Sequence, residues 1–150
     1  GWVQALTGED HTPETEEYGI SSFVWRARKP FHVQRFHDFI NGDLRNIIRA
    51  KGFFWVSNQS DTAYTWSLAG SISRVEQMGR WWAAVPEERW PQDAEELTML
   101  LQEWQEPYGD RRQEIVIIGM GMDKDAIRAR LEMCLMRDDE LLESGFIIHD

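Results

Sequence analysis

Apolar and polar residues alternate with period two from Ile20 to Arg28. Phe23, Trp25 and Ala27 fall on one side, and Ser22, Val24, Arg26 and Arg28 on the other. That alternation predicts a half-buried strand. Pro30 ends it, and the period then changes. Val33, Phe36, Phe39 and Ile40 share one side of a helix expected over His32–Asn41, with Gly42 as its C-cap. Leu44–Lys51 is read as a further short helix that buries Ile47 and Ile48. Four short strands are expected next, at Phe53–Ser57, Ala63–Ala69, Ser71–Glu76 and Arg80–Val85. In the second of these, Tyr64, Trp66 and Leu68 share a face. Asn58 to Asp61, Gly70 and Met78-Gly79 are short turn signals, which favour antiparallel hairpins over parallel crossovers.

Asp93 begins a helix, with Glu96 three residues on in a capping-box arrangement. Leu97, Leu100, Leu101 and Trp104 form its apolar stripe, and Pro107 lies beyond its end. A strand at Glu114–Gly119 and a helix capped by Asp123 complete the pattern. Ile127, Leu131, Cys134 and Leu135 are the buried face of that helix. The order is a βαβ unit, a meander, a helix, a strand and a helix. It predicts an α+β fold of two layers, with a mainly antiparallel sheet, helices on one face and an elaborated ferredoxin-like topology.

Composition narrows the function. The 150 residues are the size of one domain, and 42% apolar residues suffice for a core. No apolar run approaches the ~20 residues that span a bilayer, so no membrane partner is expected. Cys134 is the only cysteine, which excludes an internal disulfide and fits a reducing, cytoplasmic setting. A net charge of −10 argues against nucleic acid as a partner. The charge is unevenly placed, however. Residues 18–85 carry nine bases and four acids, whereas residues 86–110 carry one base and eight acids. A basic block inside an acidic chain suits an acidic partner surface.

Residues 1–18 are acidic, contain Pro13 and lack periodicity, so they are expected to be an interdomain linker preceding an α+β domain over 19–150. The reading places the beginning of the chain inside a longer protein.

Four blocks carry a family resemblance. They are the run from Thr12 to Phe31, Arg49-Ala-Lys-Gly-Phe-Phe-Trp55, Gly79-Arg-Trp-Trp-Ala-Ala84 and Gly109-Asp-Arg-Arg-Gln-Glu114. In order and spacing they resemble the C-terminal domain of the CobW family, P-loop GTPases regarded as metal chaperones. The resemblance implies a parent with an N-terminal GTPase domain that binds GTP and Mg²⁺ and delivers zinc or cobalt to a client metalloprotein. It also implies that the phosphate-binding loop and a Cys-x-Cys-Cys metal motif belong to that other domain.

The chain itself contains no G-x-x-x-x-G-K-[ST] string, no Gly-x-Ser-x-Gly elbow and no His-Glu-x-x-His. Catalytic residues, cofactors and GTP hydrolysis are therefore not expected of it. His32 and His37 are five apart on one helix, not a chelating i, i+4 pair. His11, among Glu9, Asp10 and Glu14, is a weak metal candidate, and Cys134 is read as a core residue. The alternative is a free-standing module that binds a metal or small ligand through its own histidines.

The favoured function is an interaction domain that packs on the GTPase domain of the same polypeptide. Its candidate contacts are Arg26, Arg28, Arg80, Trp82, Asp110, Arg111 and Arg112. Trp81 and Trp82, as neighbours on a strand, are expected to point to opposite faces.

Overall fold

A computed structural model describes residues 16, 17 and 19–145. His11 and residues 1–15 of the expected linker lie outside them. Six strands form one sheet, all neighbours antiparallel: β1 (Glu16–Glu17), β2 (Ile20–Ala27), β3 (Ile47–Phe54), β4 (Thr62–Ala69), β5 (Ile72–Arg80) and β6 (Gln113–Met120). Their spatial order is β1-β2-β6-β3-β4-β5. Helices are α1 (Val33–Ile40), α2 (Ala94–Gln102), α3 (Lys124–Met133) and α4 (Asp138–Ser144). β6 is antiparallel to both β2 and β3, so those two run parallel with β6 inserted between them. β2-α1-β3 is thus a split βαβ unit, and the meander β3-β4-β5 extends its far side. This is the two-layer, elaborated ferredoxin-like arrangement that the pattern predicts.

One face of the sheet holds the main core. Phe23 and Trp25 of β2, Ile115 and Ile117 of β6, Ala50 and Phe54 of β3, and Trp66 and Leu68 of β4 pack there. Phe36 and Phe39 of α1 and Ile127 and Leu131 of α3 cover them. Phe31 stacks on Phe36 with centroids 4.1 Å apart, and Trp66 meets Phe36 edge-on at 5.9 Å, geometries that ring quadrupoles favour. Asp93 and Asp123 cap α2 and α3 by accepting the amides of Glu96 and Ala126, as their sequence positions predict. Cys134 is buried in the same core, where its thiol donates to the Arg130 and Arg35 carbonyls. Burial pushes that thiol up to about 11, so it is neutral at ordinary pH. α4 had no counterpart in the periodicity. It is held by a forked pair from Arg35 to Glu140 at 2.7 and 2.8 Å, which holds the Glu140 carboxyl down at about 2.

Three expected elements are different in the structure, the Phe53–Ser57 strand among them: Phe53 and Phe54 are the end of β3, and Ser57 begins a 3₁₀ turn. Leu44–Lys51 is not a helix: Ile47–Phe54 is one continuous strand, with Ile47 buried and Ile48 exposed. A bulge between Ile47 and Arg49 resets the alternation there, so the local sequence imitates a helical spacing. Arg80–Val85 is not a strand either. β5 runs on to Arg80, and Trp82–Ala84 form a 3₁₀ turn with Trp81 as its N-cap. The apolar residues of α2 are also less buried than its stripe predicts: Leu100 is buried, but Met99 and Leu101 are largely exposed.

Candidate interaction surface

Cross-strand register sets what the other face of the sheet presents. One row reads Ser67, Lys51, Val116, Val24, and the rows beside it read Ala69, Arg49, Ile118, Ser22 and Thr65, Phe53, Glu114, Arg26. Arg26, Arg49 and Lys51 are exposed, around an apolar strip in which Val116 is fully buried and Val24 and Ile118 are partly so. Arg49 and Lys51 were hidden from sequence reasoning by the helix assigned to 44–51. Once β3 is a strand, its alternation places both on this face.

At the Glu114 end, the segment between β5 and β6 builds an aromatic wall on the same face. Trp81 is buried, donates its indole N–H to the Thr62 carbonyl at 3.0 Å and meets Phe53 at 6.0 Å. Trp82 stays 37% exposed. One member of the pair is therefore in and one out, because of the turn and not because of strand alternation. Trp90 donates its indole N–H to the Trp82 and Val85 carbonyls and packs on Trp104 at 5.2 Å. A cleft of about 540 Å³ opens between this wall and α2, lined by Phe53, Trp81, Trp82, Met99 and Arg112.

The triplet before β6 fixes that wall. Buried Asp110 accepts the backbone amides of Trp82 and Ala83, each at 2.9 Å, so its carboxylate caps the 3₁₀ turn that aims Trp82. Arg111 turns the other way. It donates to the Ser60 carbonyl at 2.6 Å and to the Tyr108 carbonyl, pairs with Asp61 and lies 5.7 Å from the centre of the Trp55 ring. Desolvation lowers its pKa from the usual arginine value. Arg112 lies over the Phe53 ring at 4.8 Å and reaches Glu103 at 3.4 Å and Glu114 at 3.8 Å.

Arg26 and Arg28 share a strand face but have different surroundings. Arg26 is exposed and donates to Glu114 at 3.1 Å. Arg28 is half-buried and donates to the Gly109 carbonyl at 3.0 Å, while burial and the nearby Arg112 charge lower its pKa. It ties the strand end to the turn before β6. Arg80 donates to the Ala84 carbonyl at 2.7 Å and remains half-exposed. Arg26, Arg80 and Trp82 are thus exposed on one surface, whereas Arg28, Asp110, Arg111 and Arg112 hold it in shape.

That division has a testable consequence. Asp110→Ala leaves the amides of Trp82 and Ala83 without their acceptor, and each such loss costs ~1–3 kcal/mol. We expect a melting temperature lower by about 5 °C or more, and a Trp82 emission shifted towards that of solvated indole. Unchanged fluorescence and melting would show that the turn holds itself.

Among the described residues, no cluster of three or more His, Cys, Asp or Glu side chains is arranged to hold a metal ion. No helix among them is long and apolar enough to cross a membrane.

Residues 20–135 match the family described as the cobalamin synthesis protein cobW C-terminal domain. The chain belongs to this family. The resemblance carried by the four motif blocks is thereby established. CobW-domain relatives include a zinc-regulated GTPase metalloprotein activator of Dictyostelium discoideum, 37% identical over 95% of this chain and 30% of that protein. A zinc chaperone of Mycobacterium tuberculosis is 32% identical over 81% of this chain and 31% of its own length. The Zn(II)-bound YjiA GTPase of E. coli shares the fold, with a TM-score of 0.52 at 14% identity, over 77% of this chain and 30% of that one. This CobW domain therefore spans about a third of the length of each relative.

Proposed function

We propose that this CobW C-terminal domain is the interaction module of a GTP-dependent metallochaperone. In this reading it docks on the N-terminal GTPase domain of the same polypeptide. Its contacts there help couple GTP hydrolysis to delivery of zinc or cobalt to a client metalloprotein. GTP and Mg²⁺ belong to the partner domain, and metal is cargo. The observation that carries the reading is the convergence on one sheet face of exposed Arg26, Arg49 and Lys51 with the cleft of Trp82, Met99 and Arg112. Tryptophan and arginine dominate the energetics of protein interfaces, and a basic rim orients an acidic partner during encounter. The partial match to longer relatives named as a zinc-regulated GTPase metalloprotein activator and a zinc chaperone supports the same assignment.

The test uses Arg26→Glu combined with Lys51→Glu, both at exposed side chains, so the fold is expected to persist. Association with the separately expressed GTPase domain should weaken roughly tenfold or more at low salt, and the difference should shrink at high salt. Trp82→Ala should weaken association at both salt concentrations, because its contribution is apolar. Association unaffected by all three changes would refute this face as the docking surface.

A further inference from the structure

β5 ends the sheet. It pairs with β4 and, among the described residues, with no other strand. Its nine residues contain no proline and no lysine, and all but Ser73 are exposed. A strand of that length with a free row of backbone donors and acceptors is a template for another strand. Its side chains are sorted by the β4 register. Ser73, Val75 and Gln77 lie on the face of Trp66, and Ile72, Arg74 and Glu76 lie on the face of Ser67. Large apolar side chains stand in the open at both ends and the middle: Ile72 at 62% exposure, Val75 at 46% and Met78 at 56%.

We propose that β5 pairs edge to edge, antiparallel, with β5 of a second copy of this chain. A two-fold axis through Val75 joins the two sheets into one. The sequence of the strand selects that axis. A two-fold that keeps each face continuous can pass through Arg74, Val75 or Glu76 at the strand centre. Through Arg74 it sets arginine against arginine, and through Glu76 glutamate against glutamate, which destabilises a cross-strand pair. Through Val75 it sets Arg74 of each copy opposite Glu76 of the other, Ser73 opposite Gln77, and Val75 opposite Val75. Ile72 then approaches Met78 of the second copy, where the β4–β5 register shift ends regular pairing.

The strand is thus self-complementary in charge and in apolar positions about one point. An apolar groove lined by Val33, Phe36, Ile40 and Tyr64 has the axial residue Val75 in its wall. Val75 of the second copy would cover it. Pairing along one short edge buries less than a standard interface, so the dimer is weak, assembling on the order of 100 µM.

Sedimentation of this chain across concentration, at physiological salt, tests the assignment. Wild-type chain should pass from monomer to dimer. Arg74→Glu and Glu76→Arg should each weaken dimerisation at least ~10-fold, and the combined swap should restore it to within ~3-fold, because both pairs re-form with opposite polarity. Val75→Arg should abolish it. Hydrogen exchange supplies an independent reading: β5 amides should gain protection as concentration rises. A chain that stays monomeric to millimolar concentration overturns the proposal. So does a dimer indifferent to the single changes, or a folded double swap that stays monomeric.

Discussion

Gln113→Leu should lower the stability of this domain by about 4 kcal/mol, enough to depress its melting temperature by roughly 10 °C or more. Gln113 is fully buried at the first position of β6, and its amide is used in full view of three chain segments. The Oε1 atom accepts the Trp55 backbone N–H at 2.8 Å. Nε2 donates to the Trp55 and Lys29 carbonyls, each at 3.0 Å. One side chain thus satisfies the backbone where β2 and β3 both leave the sheet. Leucine has a similar volume but takes the partner from the buried Trp55 N–H and from the Lys29 carbonyl, and leaves the Trp55 carbonyl with the Phe31 N–H at 3.0 Å alone, which is why the loss exceeds that of an ordinary core change. Against a typical total of 5–15 kcal/mol, this is a large share. Thermal melting with circular dichroism gives the answer, and a shift within ~2 °C would mean that water or local rearrangement replaces the amide.

Gly52→Ala should be comparably damaging, for a steric reason. Gly52 lies at the centre of the sheet, opposite Ile115 of β6 and Trp66 of β4. A Cβ built there would come within 2.1 Å of the Glu114 carbonyl oxygen and 2.5 Å of the Ile115 Cα. Those are backbone atoms of the neighbouring strand, so β3 and β6 would have to separate. Overpacking of this kind costs ~1–3 kcal/mol where side chains can yield, and we expect at least about 3 kcal/mol where the ladder must. Gly70→Ala is the contrast. That glycine has φ +62 and open space around its Cβ position, so only the conformational cost of roughly 1 kcal/mol applies. Equal losses at the two sites would show that conformation, not close approach, governs Gly52. Displacing β6 should also move Glu114 and Arg112, so Gly52→Ala is expected to weaken the association proposed with the GTPase domain.

The two helix caps and the alternation in β2 and β4 were legible because each depends on neighbours within a few residues. Asp93 and Asp123 serve amides three positions on, and Phe23, Trp25, Tyr64, Trp66 and Leu68 declare one face by period two alone. β3 was obscured because its bulge breaks that period, and because Ile47, Ile48 and Leu44 also fit a helical spacing. Arg49 and Lys51 went unseen with it. The Asp110-Arg111-Arg112 triplet stood out as charge, yet its three members point to three tasks. Asp110 serves the amides of Trp82 and Ala83, about 27 residues away in sequence. Gln113 gave no local signal, since its partners at 29 and 55 are distant in sequence.

Sequence alone determined the α+β class, the family and the absence from this chain of a phosphate-binding string, because periodicity, capping and motif spacing are local properties of the chain. The tertiary structure decided which arginines are exposed and which are half-buried, that Trp82 is out and Trp81 in, and that β5 is an open edge among the described residues. Those depend on register, bulges and burial, where a single residue's shift carries a side chain from one face of a sheet to the other.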